Sequence, residues 1–267
     1  MYKAVFTDMD GTLLRQDHTV SHTTKQAIQK LLAKGILIIP ISARPLHGML
    51  PITNHIFPED IPVVSLNGGY IYHKGEIIYQ VSMPLPPAEV IHDLSEKFRV
   101  SVMYYSQMDW YAVAETAAIK KEQKITPVPI TIQPFDKTIK IWEQKQTGPN
   151  KILIAGDPNV ILDVEKEMQQ VFKGSLNVYK SQPKYVEAMH HDASKTNAMR
   201  FIMDMYGIDQ SETIAIGDNY NDVGMIEYAG MGVAMGNAPA EIRSSAGFIT
   251  DTNNNDGVAK ALSHFFK

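Results

Sequence analysis

Tyr2-Lys3-Ala4-Val5-Phe6-Thr7-Asp8-Met9-Asp10-Gly11-Thr12 passes from a mostly apolar run directly into two carboxylates, a glycine and a threonine. A short apolar run of this kind predicts a buried strand. Carboxylates at its C-terminal end put charge where open α/β sheets bind their ligands. The stretch therefore predicts a sheet with this strand inside it and a catalytic site at the strand's end. Taken alone, Asp8 to Thr12 also describes an acidic turn closed by glycine. What the rest of the chain supplies decides between the two.

Downstream of this strand, Ser21 is placed to cap a helix whose apolar positions Ala27, Ile28, Leu31 and Leu32 recur at helical spacing and stop at Gly35. Ile36 to Ile41 is a continuous apolar run, read as a second strand buried on both faces and ending in Ser42-Ala43-Arg44-Pro45. A further helix, a third strand at Val63 to Leu66 running into Asn67-Gly68-Gly69, and a hairpin from Tyr70 to Gln80 follow. Strand, helix, strand, helix, strand predicts an α/β fold with a doubly wound parallel sheet. The same texture returns at Ser194, with a helix carrying Ala198, Ile202 and Met205 on one face and stopped by Gly207. The strand Thr213 to Ile216 then ends in Gly217-Asp218-Asn219-Tyr220-Asn221-Asp222, and Gly232 to Met235, Ala238 to Ser244, Phe248 to Thr250 and a helix from Gly257 complete the chain.

Between these halves the texture changes. Pro84, Pro86 and Pro87 mark a stiff connector, and Val90, Ile91, Leu94 and Phe98 an amphipathic helix. Alternating stretches at Val100 to Tyr105 and Trp110 to Ala114 precede a proline-punctuated loop around Pro127, Pro129 and Pro134. A strand at Lys151 to Ala155, a helix at Val160 to Phe172 and strands near Leu176 to Lys180 and Tyr185 to Met189 follow. The expected organisation is a core domain of residues 1–82 and 190–267 with an inserted α+β domain at 83–189.

The bulk properties narrow the function. At 267 residues and 44% hydrophobic the chain can bury a sizeable core. A formal net charge of -4 argues against nucleic acid or an anionic membrane as partner, since either calls for a basic excess. With no cysteine there is no thiolate metal site and no cysteine nucleophile, so catalysis must use oxygen and nitrogen groups. The N-terminus reaches Asp8 without the longer apolar core of a signal sequence, and the longest apolar stretch, Gly35 to Ile41, falls far short of the roughly 20 residues that span a bilayer. A cytoplasmic protein with no obligate protein partner is expected.

Four loops thus stand at predicted strand ends or at a helix start: Asp8 to Thr12, Ser42 to Arg44, Lys195, and Asp218 to Asp222. In a doubly wound sheet such loops converge on one crevice. This order and these residue types resemble the haloacid dehalogenase (HAD) superfamily of phosphotransferases. The insert, by position, length and texture, resembles the cap of its Cof-type, type IIB members. The resemblance implies a HAD-like Rossmannoid core and a Mg²⁺-dependent phosphatase acting on a small phosphorylated metabolite such as a sugar phosphate, with the cap excluding water and choosing the leaving group.

By the same resemblance Asp8 is the nucleophile and Asp10 the general acid and base, while Gly11 turns the loop and Thr12 fixes it. Mg²⁺ is held by the Asp8 side chain, the Asp10 carbonyl and Asp218, with Asp222 behind them. Ser42, the backbone of Ala43, Lys195 and Asn221 meet the phosphate. Acyl phosphates hydrolyse readily, so a carboxylate nucleophile divides one hard displacement into two easier ones. Clustered carboxylates repel a phosphate dianion, so a hard cation with oxygen ligands is needed. Three positions depart from the family's habit: Ser42 stands where threonine is usual and keeps the hydroxyl, and Ala43 and Thr196 stand where glycine is usual. A phosphomutase and a non-catalytic phosphosugar sensor are the alternatives. A receiver-like signalling domain, or a fragment of a P-type ATPase, fits poorly with Asp10; the insert speaks against the first and the missing membrane segments against the second. Gly230-Met231-Gly232 with Gly236 has the wrong spacing for a dinucleotide loop. His190 and His191, adjacent and expected to point to different faces, are read as structural or solvent-facing rather than metal-binding, and Tyr104, Tyr105, Trp110 and Tyr111 as sheet packing.

Overall fold

The computed structural model of the chain describes residues 1–125 and 129–267. In chain order it begins with β1 (Ala4–Asp8), α1 (His22–Leu32), β2 (Leu37–Ile41), α2 (Leu46–Thr53), β3 (Val63–Ser65), β4 (Tyr70–His73) and β5 (Glu76–Gln80). It continues through α3 (Leu85–Phe98), β6 (Ser101–Ser106), β7 (Asp109–Ala112), α4 (Ala117–Ile125), β8 (Thr131–Ile132), α5 (Phe135–Gln144), β9 (Lys151–Ala155), α6 (Pro158–Val171), β10 (Leu176–Gln182) and β11 (Tyr185–His190). It closes with α7 (Lys195–Tyr206), β12 (Thr213–Gly217), α8 (Val223–Tyr228), β13 (Met231–Ala234), α9 (Ala240–Ser245), β14 (Phe248–Ile249) and α10 (Gly257–Phe265). The chain forms two compact units, one of residues 1–44, 49–78 and 194–267 and the other of residues 45–48 and 79–193.

The first unit is built on a sheet of order β14-β13-β12-β1-β2-β3-β4-β5 among the described residues. From β14 to β3 the pairings are parallel, and β4 turns back antiparallel on β3. β1 lies in the middle with every residue buried, which is why Ala4, Val5 and Phe6 run apolar without alternation before Thr7 and Asp8. Pro40 sits inside β2, where a missing N–H would normally break a ladder. The Leu37 N–H bonds to Lys3 on the β1 side and the Ser42 N–H to Val64 on the β3 side. By the two-residue period the Pro40 nitrogen therefore faces β3, which starts only at Val63. The expected N-cap is present: Ser21 Oγ accepts the Thr24 N–H at 3.0 Å.

The second unit is a sheet of order β10-β11-β9-β6-β7-β8, antiparallel except for β7 with β8. One face, with Val102, Tyr104, Tyr111, Ile152, Ile154, Val186 and Ala188, packs with Ala88 and Ile91 of α3, Ile161 and Val164 of α6, and Trp142 of α5. Tyr104 pairs with Tyr111 across the strands and Tyr105 with Trp110, and all four are buried, so these aromatics are sheet packing.

Several local expectations change. Pro86 and Pro87 are not a separate connector but lie in the first turn of α3, where a missing N–H costs nothing because those groups lack intrahelical partners. α5 starts directly after Pro134, in what the prolines suggested was loop; the turn expected at Pro127 lies outside the described residues. α7 buries Ala198, Met199, Ile202 and Met203, whereas Met205 is 44% exposed. Its buried arc is centred toward Met199 and Met203, leaving Met205 at the edge. No helix among the described residues is long and apolar enough to cross a membrane.

Candidate active site

Asp8 ends β1, flanked in register by β2 and β12, so its position is fixed by three strands. Beyond it the chain folds back at once: the Leu13 N–H bonds to the Asp8 carbonyl at 3.2 Å and the Leu14 N–H to Met9 at 2.8 Å. The turn needs Gly11, whose φ is +84°, and a Cβ there would collide with the Asp218 carboxylate. Thr12, fully buried, donates its hydroxyl to Asp218 Oδ1 at 2.8 Å. Asp218 sits at the end of β12, so two neighbouring parallel strands deliver their terminal carboxylates side by side.

Lys195 is the first residue of α7, which Ser194 caps by accepting the Asn197 N–H at 3.1 Å. The Ser194 carbonyl lies so close to Gly68 (φ +89°) that no side chain fits between, and this contact sets where α7 begins. The Lys195 side chain is 1% exposed and donates to Asp8 Oδ1 at 2.5 Å and Asp222 Oδ1 at 2.6 Å. An ammonium at a helix N-terminus opposes the helix dipole, so these two carboxylates must hold it there. Burial also works against its charge, yet Asp222 and Asp8 outweigh it and keep the ammonium's pKa above its usual range. Asp222 Oδ2 accepts the N–H groups of Asp218 and Asn219, both at 2.9 Å, which commits both Asp222 oxygens.

Burial, reinforced by repulsion from Asp222 and Asp218 and only partly relieved by Lys195, raises the Asp8 carboxyl well above the ordinary carboxylate range. Burial also pushes Asp218 up to about 6, with the Thr12 hydrogen bond opposing and Asp222 adding to the rise. Carboxylate oxygens of Asp8, Asp218 and Asp222 lie within 4.8 Å of one another. If all three carboxylates were ionised, the Lys195 ammonium would leave two negative charges uncompensated, which is the charge a bound cation would offset. Asp222 is fully engaged, so Asp8 and Asp218 are the side chains able to hold a hard cation, and an oxygen donor set with few carboxylates fits Mg²⁺.

The other residues expected at the site are at its edge. Ser42 is buried at the end of β2, and its Oγ accepts the Arg44 N–H at 3.1 Å, leaving the hydroxyl proton to be donated elsewhere. Ala43 follows it in the same loop. Asn221 Nδ2 donates to Asn67 Oδ1 at 2.8 Å. Asp10, in contrast to its neighbours, is exposed, and both its oxygens are taken by the Arg44 guanidinium at 2.5 and 2.6 Å.

The profile of the haloacid dehalogenase-like hydrolase family matches residues 5–262. The chain belongs to this family. A Haemophilus influenzae protein with a provisional phosphatase name is 39% identical over 269 residues, spanning 100% of this chain and 99% of the relative. The 5-amino-6-(5-phospho-D-ribitylamino)uracil phosphatase YitU of Bacillus subtilis is 27% identical, over 97% of this chain and 96% of its own. The crystal structure of a haloacid dehalogenase-like hydrolase from Bacteroides thetaiotaomicron superposes with a TM-score of 0.88 at 29% identity, covering 100% of both chains.

In this HAD-like hydrolase the departure at Thr196 is accommodated locally, because its hydroxyl lies against Gly224, where no side chain competes. Three further residues belong to the site's framework. Arg44 holds Asp10, and Asn67, in a left-handed conformation at φ 54°, receives Asn221. Asn237 donates to the Gly11 carbonyl at 2.8 Å and toward Asp218 Oδ2 at 3.3 Å. Asn67 had a visible signal, since it opens the Asn-Gly-Gly turn at the end of β3; Asn237 had none.

Proposed function

We propose that this HAD-like hydrolase is a Mg²⁺-dependent phosphatase for a small phosphorylated metabolite, such as a sugar phosphate, and that it works through an aspartyl phosphate on Asp8. The observation that carries the reading is the buried Lys195 bridge between Asp8 and Asp222, with Asp218 alongside. A lysine held that way aligns one Asp8 oxygen, while the other accepts no hydrogen bond among the described residues and is free to attack. The phosphatase names of the two relatives support the same class of reaction.

In the proposed reaction an Asp8 oxygen forms a bond to phosphorus as the ester P–O bond breaks. Asp10, having taken up a proton from solvent on leaving the Arg44 fork, passes it to the departing alkoxide. Water then attacks the phosphorus of the acyl phosphate, surrendering a proton to Asp10, and the bond to Asp8 breaks to release inorganic phosphate. For this Asp10 must exchange the Arg44 fork for the leaving oxygen, a movement its exposure allows. Asp8, Asp218 and the Asp10 carbonyl would hold Mg²⁺, which would supply the positive charge that a phosphate dianion needs to approach these carboxylates. Lys195, Ser42, the Ala43 backbone and Asn221 meet the phosphoryl oxygens, and Thr12 and Asp222 keep their partners aligned. The core domain (1–82 and 190–267) performs the chemistry, and the inserted domain (83–189) chooses the leaving group. The test is hydrolysis of p-nitrophenyl phosphate by the purified chain with Mg²⁺. Wild type releases phosphate and Asp8→Asn does not; equal activity in the two overturns the mechanism.

A further inference from the structure

Away from the Asp8 cluster, the turn between β11 and α7 gathers a different donor set. We propose that His190, His191 and Asp192 form a binding site for a divalent transition-metal ion of the zinc type, independent of the catalytic reading. β11 ends at His190, so the alternation that would send adjacent side chains to opposite faces stops there. The two rings instead lie side by side, centroids 4.3 Å apart and tilted by 37°. His191 Nε2 is 3.3 Å from Asp192 Oδ1, and His190 Nδ1 is 3.7 Å from Asp192 Oδ2. Metal bonds of about 2.0–2.2 Å place neighbouring ligand atoms roughly 3–3.6 Å apart; the two imidazole–carboxylate pairs lie close to that, and all three ligand atoms lie within 4.8 Å of one another.

The proton positions favour ligation. His191 Nδ1 lies 3.2 Å from the Ser175 carbonyl, which can only accept, so Nδ1 carries the proton and the Nε2 lone pair faces Asp192. A backbone carbonyl behind the ring is the usual device for orienting a ligating imidazole. His190 Nδ1 accepts the Asp192 N–H at 3.2 Å, so its lone pair is turned toward Asp192, and an ion bound there displaces that long hydrogen bond. The turn is pinned by the Ala193 N–H on the His190 carbonyl at 2.9 Å and by Asn177 Nδ2 on the His191 carbonyl at 3.1 Å. His191 and Asp192 are about half exposed, which gives the ion entry and leaves positions for water. Two imidazoles and one carboxylate select zinc, nickel, cobalt or copper over magnesium, whereas the Asp8 cluster offers oxygen alone.

The experiment follows the imidazole resonances of the full chain by nitrogen-15 NMR, in saturating Mg²⁺, while Zn²⁺ is added. Of nine histidines, the two rings of His190 and His191 should shift together and saturate at one equivalent, in wild type and equally in Asp8→Asn. His191→Ala should lose that equivalent and Asp192→Asn should weaken it, both with Mg²⁺-dependent hydrolysis retained. Zn²⁺ uptake that leaves both rings unshifted, or that His191→Ala retains with unchanged affinity, overturns the proposal. Should His191→Ala fail to fold, the wild-type titration and Asp192→Asn decide.

Discussion

Lys195→Met removes the ammonium that the structure sets against Asp8 and Asp222. At 2.5 and 2.6 Å, and an effective dielectric of about 20, each contact carries roughly 6 kcal/mol of gross attraction. Desolvation of the buried ions consumes much of that. What the substitution exposes is the penalty of two carboxylates stranded without their counter-ion, about 3–5 kcal/mol. Asp222→Asn in the same chain removes one stranded charge, so the double variant should recover about 1–3 kcal/mol of the loss. Urea unfolding followed by far-ultraviolet circular dichroism reads this, because Trp110 and Trp142, the only two tryptophans, both lie in the second unit and their fluorescence reports on it. The midpoint should fall with little change in slope. The deficit should narrow as pH is lowered and the stranded carboxylates take up protons. A loss under about 1 kcal/mol, within the range of an exposed ion pair, or a double variant no better than the single one, would refute the view that this pair is a buried and costly feature of the site.

Gly11→Ala should abolish hydrolysis and destabilise the chain by about 1–3 kcal/mol from backbone strain alone, since a Cβ at φ +84° meets the Asp218 carboxylate; an undiminished kcat/KM in a steady-state assay contradicts that geometry. Asp218 titrates near 6 in the folded chain against an ordinary 3.8, so its stabilising share is complete below pH 3.8 and is lost as pH rises through about 6. With chelator present, Asp218→Asn should therefore melt above wild type at pH 7.5, and the gap should fade at pH 4; a gap of equal size at both pH values speaks against the raised carboxyl. Adding Mg²⁺ at pH 7.5 should raise the melting temperature of wild type and leave that of Asp218→Asn nearly unchanged.

The polar residues at the strand ends were legible from sequence because β1, β2 and β12 are mostly apolar, and Asp8, Ser42 and Asp218 mark where those runs stop. Lys195 was legible only through its register with a family motif, since nothing in a lone lysine foretells burial. The framework residues were harder to see. Arg44 reaches Asp10 across 34 positions and Asn237 reaches Gly11 across 226, and no local pattern records partners chosen by tertiary placement. α5 was hidden by Pro134, although Phe135, Ile139 and Trp142 already hold helical spacing; a proline just before a helix can open it as readily as break it. The histidine pair misled because strand alternation was extended one residue past the strand's end.

The most direct test is to quench the enzyme in mid-turnover, reduce any acyl phosphate with borohydride and identify the modified residue by peptide mass spectrometry. Conversion of Asp8 alone, to homoserine, is expected in wild type, and none in Asp8→Asn. Phosphate release with Asp8 unmodified throughout, or reduction at another carboxylate, would contradict it.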